Sequence, residues 1–333
     1  MTASGPLVSV GIPVYNGAGY IRQALDAIVR QTYEHMEIII CDNASNDGTI
    51  NICREFVLND DRCKLYQNQQ NIGSIDNFNK ALLLASGKYF MWAAHDDIFL
   101  PDYVKSCVNL LEHDIDLVGC CSGMNLIDED GNFFSYGDSS ILDNVDLDQL
   151  NPIDRLRLWF CRDGWFALYS VFRLEFLRSS PRLINVYGTD VVFVAELLMR
   201  GRIAKIPRVL FYYRIHATRT ELDRLLEQGV GNVGHEVDAY EYSRFKLFLN
   251  LFDSISRWRA SPLSKLSAIY HLTRCWEWRP GIRGELVHFV VTSLKARRWG
   301  DVSKTILTLG LSRAGTRLLG VVRNVCDKTQ FLK

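Results

Sequence analysis

Strand-like and helix-like segments alternate through the first 113 residues, and this alternation is the strongest constraint on the fold. The first apolar run, residues 7–15, ends at Asn16 and Gly17, and a segment with helical spacing follows at 20–31. Later segments repeat this order, with strand-like runs at 36–41, 63–67 and 88–94 and helical spacing at 49–58, 74–85 and 101–113. Because parallel strands need a crossover connection, usually a helix, the order predicts an α/β fold with a mostly parallel central sheet and helices on both faces.

The pattern changes after residue 116. The apolar run 117–127 is followed by a turn ending in Gly131 and then by Phe133 and Phe134, which predicts a hairpin at the sheet edge. Further segments are predicted as helices at 151–160 and 191–200 and as extended chain at 166–172 and 203–215. A polar, glycine-containing stretch near 218–235 precedes a largely helical remainder. We therefore predict an α/β domain over residues 1–218 and a helical, basic C-terminal region over residues 219–333.

The distribution of charge separates the two ends of the chain. Lys and Arg number 38 and Asp and Glu number 38, so the formal net charge is zero and nucleic-acid binding has no support. Residues 257–333 nevertheless hold 15 Lys and Arg against 4 Asp and Glu, mixed with Trp, Leu and Val. Such a segment suits an interfacial helix on anionic lipid, or else a helical bundle whose charges are solvated. With no signal peptide or bilayer-length apolar run, we expect a cytoplasmic protein or one attached to the inner face of the cell membrane.

Polar clusters follow three of the predicted strands. The first strand ends in Tyr15 and Asn16, the second in Asp42, and the fourth in His95, Asp96 and Asp97. In an open parallel sheet, ligands bind beyond the carboxyl ends of the strands. The sequence therefore predicts a ligand site that is lined by acids and amides along one edge of the sheet.

Each acidic cluster has two interpretations. Segment 42–49 can supply turn and helix-capping chemistry, or Asp42 can accept a hydrogen bond from an imide N–H such as that of uracil or thymine. The adjacent carboxylates of Asp96 and Asp97 can begin a helix, or their mutual repulsion can be relieved by Mg²⁺ or Mn²⁺. The chain has no P-loop motif and no complete G-x-G-x-x-G motif, so those two phosphate-binding loops are unsupported.

Four ordered motifs resemble those of the inverting family 2 glycosyltransferases. They are VSVGIPVYN at 8–16, IIICDNASNDGT at 38–49, NIG at 71–73 and HDD at 95–97, within a region of resemblance that spans roughly residues 7–218. The resemblance implies a GT-A (nucleotide-diphospho-sugar transferase) fold and a catalytic domain over residues 1–218. It also implies transfer of a sugar from a nucleoside-diphosphate donor, UDP or dTDP, to an acceptor hydroxyl. The acceptor would be a saccharide or lipid-linked saccharide in bacterial surface polysaccharide or glycolipid assembly.

The resemblance also implies a role for each matching residue. Donor-nucleotide binding would fall to Pro13, Tyr15, Asn16, Asp42, Ser45, Asp47, Asn71, Gly73 and Asp96. Asp97 would coordinate Mn²⁺ or Mg²⁺, and His216 would complete the metal site or bind the diphosphate. Asp190 would be the catalytic base, with helix capping as the alternative. His95, which stands where the family motif has an acid, would contact the donor, and Trp165 would contact the acceptor or belong to the core.

Two other functions remain open at the level of the sequence. One is a sugar-phosphate nucleotidyltransferase built on a related sheet, and the other is a non-catalytic nucleotide-sugar-binding protein. The first normally binds a triphosphate with a glycine-rich, basic loop, whereas residues 11–20 contain no Lys or Arg. Hydrolysis or transfer assays with a panel of nucleotide-sugar donors would separate both of these functions from that of a transferase.

Overall fold

The computed structural model describes residues 5–133, 147–161, 165–186, 188–216 and 236–277. The chain divides into two compact units, residues 1–232 and residues 233–333. The boundary predicted at 218–219 and the division at 232–233 both fall within residues 217–235, outside the described ranges. The limits of the two predicted domains therefore stay predictions.

One mostly parallel sheet organises the first unit. Its eight strands are β1 (Val8–Val14), β2 (Met36–Asp42), β3 (Cys63–Gln67), β4 (Tyr89–Trp92), β5 (Ile98–Phe99), β6 (Leu117–Ile127), β7 (Val171–Arg173) and β8 (Arg202–Arg214). Their order across the sheet is β3-β2-β1-β4-β7-β6-β8-β5. Strand β7 is antiparallel to β4 and β6, and β5 is antiparallel to β8, whereas all other neighbours are parallel. Six strands therefore share one direction, and the predicted mostly parallel sheet is confirmed.

Helices cover both faces of this sheet. They are α1 (Ile21–Val29), α2 (Thr49–Asn59), α3 (Ser74–Leu84), α4 (Tyr103–His113), α5 (Pro152–Cys161), α6 (Leu174–Ser179) and α7 (Thr189–Leu198). Successive side chains of a strand point to opposite faces. Ile12 of β1 belongs to the same buried cluster as Leu25 of α1 and Val104 of α4. Its neighbour Gly11 faces the other way and lies against Ala81 of α3.

Two predicted elements differ from the structure. Residues 166–172, predicted to be extended, instead form most of a 3₁₀ helix (Trp165–Tyr169) and the first two residues of the three-residue strand β7. The hairpin predicted at the sheet edge was wrong in position, because β6 lies in the sheet interior between β7 and β8. Its turn does form, since the Asp128 N–H donates to the Asn132 carbonyl at 2.9 Å and Ile127 bridges Phe133. The edge prediction failed because the eleven residues of β6 are almost all buried by neighbours that are distant in sequence.

Strand β8 contains a proline, Pro207, near its middle. Ile206 pairs with Ser122, and the next paired residue is Val209, opposite Gly123. Pro207 lacks an N–H group and cannot donate to the ladder, so it falls in an irregularity of the strand pair where no donor is needed. The strand therefore continues to Arg214, at the edge of the sheet that the carboxyl ends of the parallel strands form.

The second unit is helical as far as it is described. Helices α8 (Glu236–Arg257) and α9 (Pro262–Glu277) contact each other, with Leu251 of α8 and Leu272 of α9 fully buried. The predicted helical region is thus confirmed for residues 236–277, whereas most of the basic segment 257–333 lies outside the described residues. Among the helices that the structure describes, none combines the length and apolar character needed to cross a bilayer.

Close packing around Gly11 predicts that a larger residue at this position destabilises the fold. A Cβ at this position would lie 2.9 Å from Ala81 Cβ and 2.9 Å from the Phe90 ring. We expect Gly11→Ala to lower the free energy of unfolding by about 1–3 kcal/mol, because α3 must move away from β1. Gly19→Ala is the control, since Gly19 is exposed and a methyl group added there would have no heavy atom within 4 Å. Chemical denaturation that shows equal losses for both variants would contradict this account of the packing.

Candidate functional site

The carboxyl ends of five strands meet at one edge of the sheet. Strands β1, β2 and β4 are mutually parallel, and β7 reverses direction so that β6 and β8 run the same way. Asp42 is the last residue of β2 and Arg214 is the last residue of β8. The loop after β4 carries Asp96 and Asp97 to the same edge, where Asp97 is hydrogen-bonded to Arg214. The topology therefore brings together the strand ends that the sequence marked as polar.

The loops after β1 and β2 are hydrogen-bonded to each other through predicted site residues. The Asn16 N–H donates to Ser45 Oγ at 2.9 Å, and the Ala18 N–H donates to Asp47 Oδ2 at 3.0 Å. Asp47 Oδ1 also accepts from the Thr49 N–H at 3.1 Å. Although desolvation opposes the shift, hydrogen bonds from the Thr49 hydroxyl and from the Ala18 and Thr49 N–H groups lower the pKa of Asp47. The turn-chemistry interpretation thus describes the contacts of Ser45 and Asp47, which fix the shape of this loop pair.

Asp42 differs from those two residues because one of its carboxylate oxygens accepts no hydrogen bond from the described residues. The side chain is completely buried, and Oδ2 accepts the Ser45 N–H at 3.2 Å. Oδ1 is buried and has no hydrogen-bond partner among the described residues. A buried acceptor without a donor costs roughly 1–3 kcal/mol, so such an atom in a folded protein requires an explanation. A ligand with an N–H group would provide the missing donor.

The buried amide of Asn43 joins the end of β2 to the loop after β3. Its Nδ2 donates to Asn71 Oδ1 at 2.7 Å and to the Gly73 carbonyl at 3.2 Å. Its Oδ1 accepts from Asn68 Nδ2 at 2.8 Å and from the Ile72 N–H at 2.9 Å. A side-chain amide has two donor hydrogens and two acceptor lone pairs, so all four are used. Two of the predicted nucleotide-binding residues, Asn71 and Gly73, are therefore positioned by an asparagine that the sequence analysis did not select.

Asp97 also has one carboxylate oxygen that accepts a hydrogen bond and one that accepts none from the described residues. Its side chain is 1% exposed, and Oδ1 accepts the Arg214 N–H at 2.9 Å. Oδ2 is buried and has no hydrogen-bond partner among the described residues. Desolvation, and then the neighbouring charge of Asp96, raise the pKa of Asp97 well above its ordinary value. A bound divalent cation reverses this balance, because it favours the carboxylate over the carboxylic acid.

His216 contacts Asp96 rather than Asp97. Its Nε2 lies 2.8 Å from Asp96 Oδ2, and its Nδ1 lies 3.8 Å from Glu129 Oε1. The edge of the Tyr20 ring packs on the imidazole with ring centroids 5.1 Å apart. Nε2 is therefore engaged with Asp96, and the role of His216 in the metal site or at the diphosphate stays a prediction.

The carboxylates present fit a metal that is shared with a phosphate ligand. Within the described ranges, no three His, Cys, Asp or Glu side chains are grouped so that they could hold a metal ion by themselves. Mg²⁺ is usually bound through one or two carboxylates together with substrate phosphates and water, and Mn²⁺ also favours oxygen ligands. Asp97, with its unpartnered Oδ2, and the adjacent Asp96 provide that number of carboxylates.

Asp190 comes from a different part of the chain, and its charge acts on the same buried phenol, that of Tyr169, as the charges of Asp96 and Asp97. It is the second residue of α7, and the N-cap residue is Gly188, in the left-handed conformation with φ +67°. The N-cap position is therefore occupied by Gly188, and Asp190 lies in the first turn of the helix. Desolvation raises the pKa of Tyr169, and the charges of Asp97, Asp96 and Asp190 add to this effect. All three carboxylates are thus close enough to act on one phenol.

The remaining predicted residues have different outcomes. Pro13 is buried in β1, whereas Tyr15 is 44% exposed at the rim of the site. His95 packs against the loop after β1, since a Cβ added to Gly17 would clash with its ring. The side chain of Trp165 lies outside the described residues, so its role stays a prediction.

The N-terminal part of the chain is similar to one family of known proteins. Residues 9–171 match the model for glycosyl transferase family 2. An uncharacterised glycosyltransferase of Haemophilus influenzae is 28% identical over 282 residues, which cover 81% of this chain and 82% of that protein. The glycosyltransferase GlyA of Streptococcus pneumoniae is 30% identical over 217 residues, which cover 62% of this chain but only 30% of that protein.

Solved structures of similar shape confirm the fold. Residues 1–349 of Staphylococcus aureus TarS, crystallised in complex with UDP-GlcNAc, superpose with a TM-score of 0.63 at 15% identity. The superposition covers 86% of this chain and 81% of the TarS chain. The same TarS fragment crystallised with UDP gives a TM-score of 0.58 at 16% identity. The GT-A fold expected from the sequence is therefore confirmed.

The fully bonded amide of Asn43 leads to a prediction about the loop after β3. Asn43→Asp replaces two donor hydrogens by an oxygen that faces Asn71 Oδ1 and the Gly73 carbonyl. We expect a loss of about 1–3 kcal/mol in the free energy of unfolding and faster hydrogen exchange at the Ile72 amide. Asn46→Asp introduces the same charge at an exposed side chain and should leave both measurements unchanged. Equal effects of the two variants in hydrogen-exchange mass spectrometry would contradict the positioning role of Asn43.

Proposed function

We propose that this chain, whose residues 9–171 match the model for glycosyl transferase family 2, transfers a sugar from a nucleoside-diphosphate donor to an acceptor hydroxyl with inversion. The observation that carries this proposal is the pair of buried carboxylate oxygens, Asp42 Oδ1 and Asp97 Oδ2, that have no hydrogen-bond partner among the described residues. Both belong to the carboxyl edge of the sheet, where a ligand would supply a donor to one and a cation to the other.

The unpartnered oxygen of Asp42 favours a base with an imide N–H. Uracil and thymine each present one N–H between two carbonyl groups, so a single carboxylate oxygen can accept from it. This chemistry supports UDP or dTDP as the nucleotide of the donor. Tyr15 and Asn16 follow β1 beside this position, and Asn71 and Gly73 are held there by Asn43. These four residues would contact the base and ribose.

Asp97 and Asp96 would hold Mn²⁺ or Mg²⁺ together with the two phosphates of the donor. When bound, the cation neutralises negative charge that develops on the leaving diphosphate. His216, held at 2.8 Å from Asp96, would complete the metal site or bind the same diphosphate. His95, which lies between the Gly17 loop and Asp96, would contact the donor from the side of β1.

Asp190 would take the proton from the acceptor hydroxyl. As that proton moves to the Asp190 carboxylate, the acceptor oxygen forms a bond to the anomeric carbon. The bond from this carbon to the diphosphate oxygen breaks, and its electron pair leaves with the diphosphate. Attack from the side opposite the leaving group inverts the configuration. A positioned general base typically contributes about 10²–10⁴-fold to the rate.

The acceptor and the location of the reaction are proposed from the C-terminal region. The excess of Lys and Arg in residues 257–333 would hold the protein on an anionic membrane surface from the cytoplasmic side. A lipid-linked saccharide would then reach the site from the membrane, as assembly of a bacterial surface polysaccharide or glycolipid requires. Trp165 would contact this acceptor.

Donor binding tests the roles of the two unpartnered oxygens separately. A thermal-shift screen of UDP-, dTDP- and GDP-sugars should show the largest stabilisation for a UDP- or dTDP-sugar with Mn²⁺. Asp42→Asn should weaken binding of that donor about 10–100-fold with or without Mn²⁺, because a charged hydrogen bond is lost. Asp97→Asn should remove only the part of the affinity that depends on Mn²⁺.

Asp61→Asn is the matched control for these variants, because Asp61 is exposed and far in sequence from either strand end. It should bind the donor as the unaltered protein does. A wild-type protein that none of the nucleotide sugars stabilises, at any Mn²⁺ concentration, would refute the proposed donor class.

The catalytic base is tested by comparing two helix-starting acids. Asp190→Asn should leave donor affinity unchanged and lower the transfer rate by about 10²–10⁴-fold, because only proton removal is lost. Glu175→Gln is the control, since Glu175 is likewise the second residue of a helix, α6, and shares any interaction with the helix dipole. Near-normal turnover of the Asp190→Asn protein, measured by release of the nucleoside diphosphate, would assign the base elsewhere.

A further inference from the structure

The guanidinium of Arg214 is buried at the end of β8, directly behind the two acids of the candidate metal site. We propose that Arg214 is a positioning residue that fixes the carboxylates of Asp96 and Asp97 for the diphosphate end of the donor site. The inference rests on the proposed function, because it assigns Arg214 a part in donor binding.

The contacts of Arg214 go mainly to backbone oxygens around this site. Nε donates to the Asp96 carbonyl at 2.8 Å, and Nη1 donates to the carbonyls of Asp128 at 2.7 Å and Glu129 at 3.0 Å. Nη2 donates to Gln23 Oε1 at 2.7 Å. The side chain is 2% exposed, so these bonds form away from bulk water. One planar group therefore joins the loop after β4, the turn after β6 and helix α1.

The backbone of the same residue acts on Asp97. The Arg214 N–H holds Asp97 Oδ1 at 2.9 Å, which leaves Oδ2 as the oxygen without a partner among the described residues. The guanidinium also lies over the Tyr20 ring at 4.8 Å, and that ring packs against His216. Arg214 thus contacts, directly or through one residue, each group proposed to face the diphosphate.

A lysine at this position would keep the positive charge and lose the geometry. A lysine ammonium is a compact charge on a flexible stem, whereas arginine presents several N–H donors in a rigid plane. The planar guanidinium can donate to three backbone carbonyls and one amide oxygen that lie in different directions, whereas a lysine ammonium cannot reach all four. Partners of metal-binding carboxylates typically change metal affinity by about 10–100-fold when they are mutated.

A second buried arginine provides a matched control at the opposite edge of the sheet. Arg173 is 7% exposed, and its Nε donates to the Leu117 carbonyl at 2.8 Å. Its Nη2 donates to the Asp114 carbonyl at 3.1 Å, and its guanidinium lies over the Tyr89 ring at 5.6 Å. Tyr89 and Leu117 begin β4 and β6, so these contacts lie at the amino ends of the strands. Arg173 and Arg214 are therefore bonded alike and differ in their distance from the candidate site.

The experiment compares Arg214→Lys with Arg173→Lys. Both variants should lower the melting temperature, because each loses hydrogen bonds to buried carbonyls. Calorimetric titration with UDP should show that Arg214→Lys weakens the affinity measured with Mn²⁺ by about 10–100-fold, whereas the affinity measured in EDTA is unchanged. Arg173→Lys should keep the full gain in UDP affinity on addition of Mn²⁺.

Gln23→Ala keeps the inference falsifiable if Arg214→Lys does not fold. It removes only the Nη2 acceptor, on an exposed position of α1, and should weaken Mn²⁺-dependent binding in the same direction by a smaller factor. An Arg214→Lys protein, or a Gln23→Ala protein where the former is unfolded, that retains the full Mn²⁺ gain would overturn the positioning role. A wild-type protein that binds neither UDP nor another nucleoside diphosphate would instead refute the proposed function.

Discussion

The shared direction of β1, β2, β4, β6 and β8 is the constraint on which the candidate site depends. Parallel pairing places Val14 beside Asp42 and Gly11 beside Trp92, so the chain leaves each strand at the same edge. The short strand β7 reverses direction between β4 and β6, which lets β8 end at that edge although it comes from a later part of the chain. Residues 42, 97 and 214 therefore lie at the same edge of the sheet, and residues 97 and 214 are hydrogen-bonded to each other there.

Burial of two carboxylates at this edge is unfavourable for the fold in isolation. Asp42 and Asp97 are each held by one backbone N–H, and each keeps a second oxygen without a partner among the described residues. Buried polar groups are normally satisfied, and unsatisfied ones concentrate where a protein binds something. The neighbouring Ser45 and Asp47 show the contrast, because their side chains are used within the loops. A buried carboxylate oxygen without a hydrogen-bond partner therefore marks a candidate ligand contact. An acid in the same stretch of sequence whose oxygens are all hydrogen-bonded within the loops instead has a structural role.

The sequence predicted the strand ends well because apolar runs and the polar residues after them mark both the strand and its edge. The predicted strand at 36–41 ends one residue before Asp42, which the structure makes the last residue of β2. The three-residue strand β7 could not be predicted, since it is too short to show a period and its pairing is with distant strands. Asn43 and Arg214 were missed as positioning residues for a different reason. Their partners are mostly backbone groups and amides, which leave no pattern of residue types in the sequence.

Side chains of helix α3 form hydrogen bonds both to the strand that carries Asp42 and to the segment that precedes Asp190. It begins directly after Gly73, in the loop that Asn43 holds, and Asn77 Nδ2 donates to the Cys41 carbonyl at 2.8 Å next to Asp42. Two residues further along, Asn79 exchanges two hydrogen bonds with the backbone of Leu183, at 2.8 Å and 3.1 Å. The Ile184 N–H then donates to Thr189 Oγ1 at 3.0 Å, immediately before Asp190. Two buried amides of one helix therefore link the backbone beside Asp42 to the segment that precedes Asp190, although these lie more than a hundred residues apart in sequence.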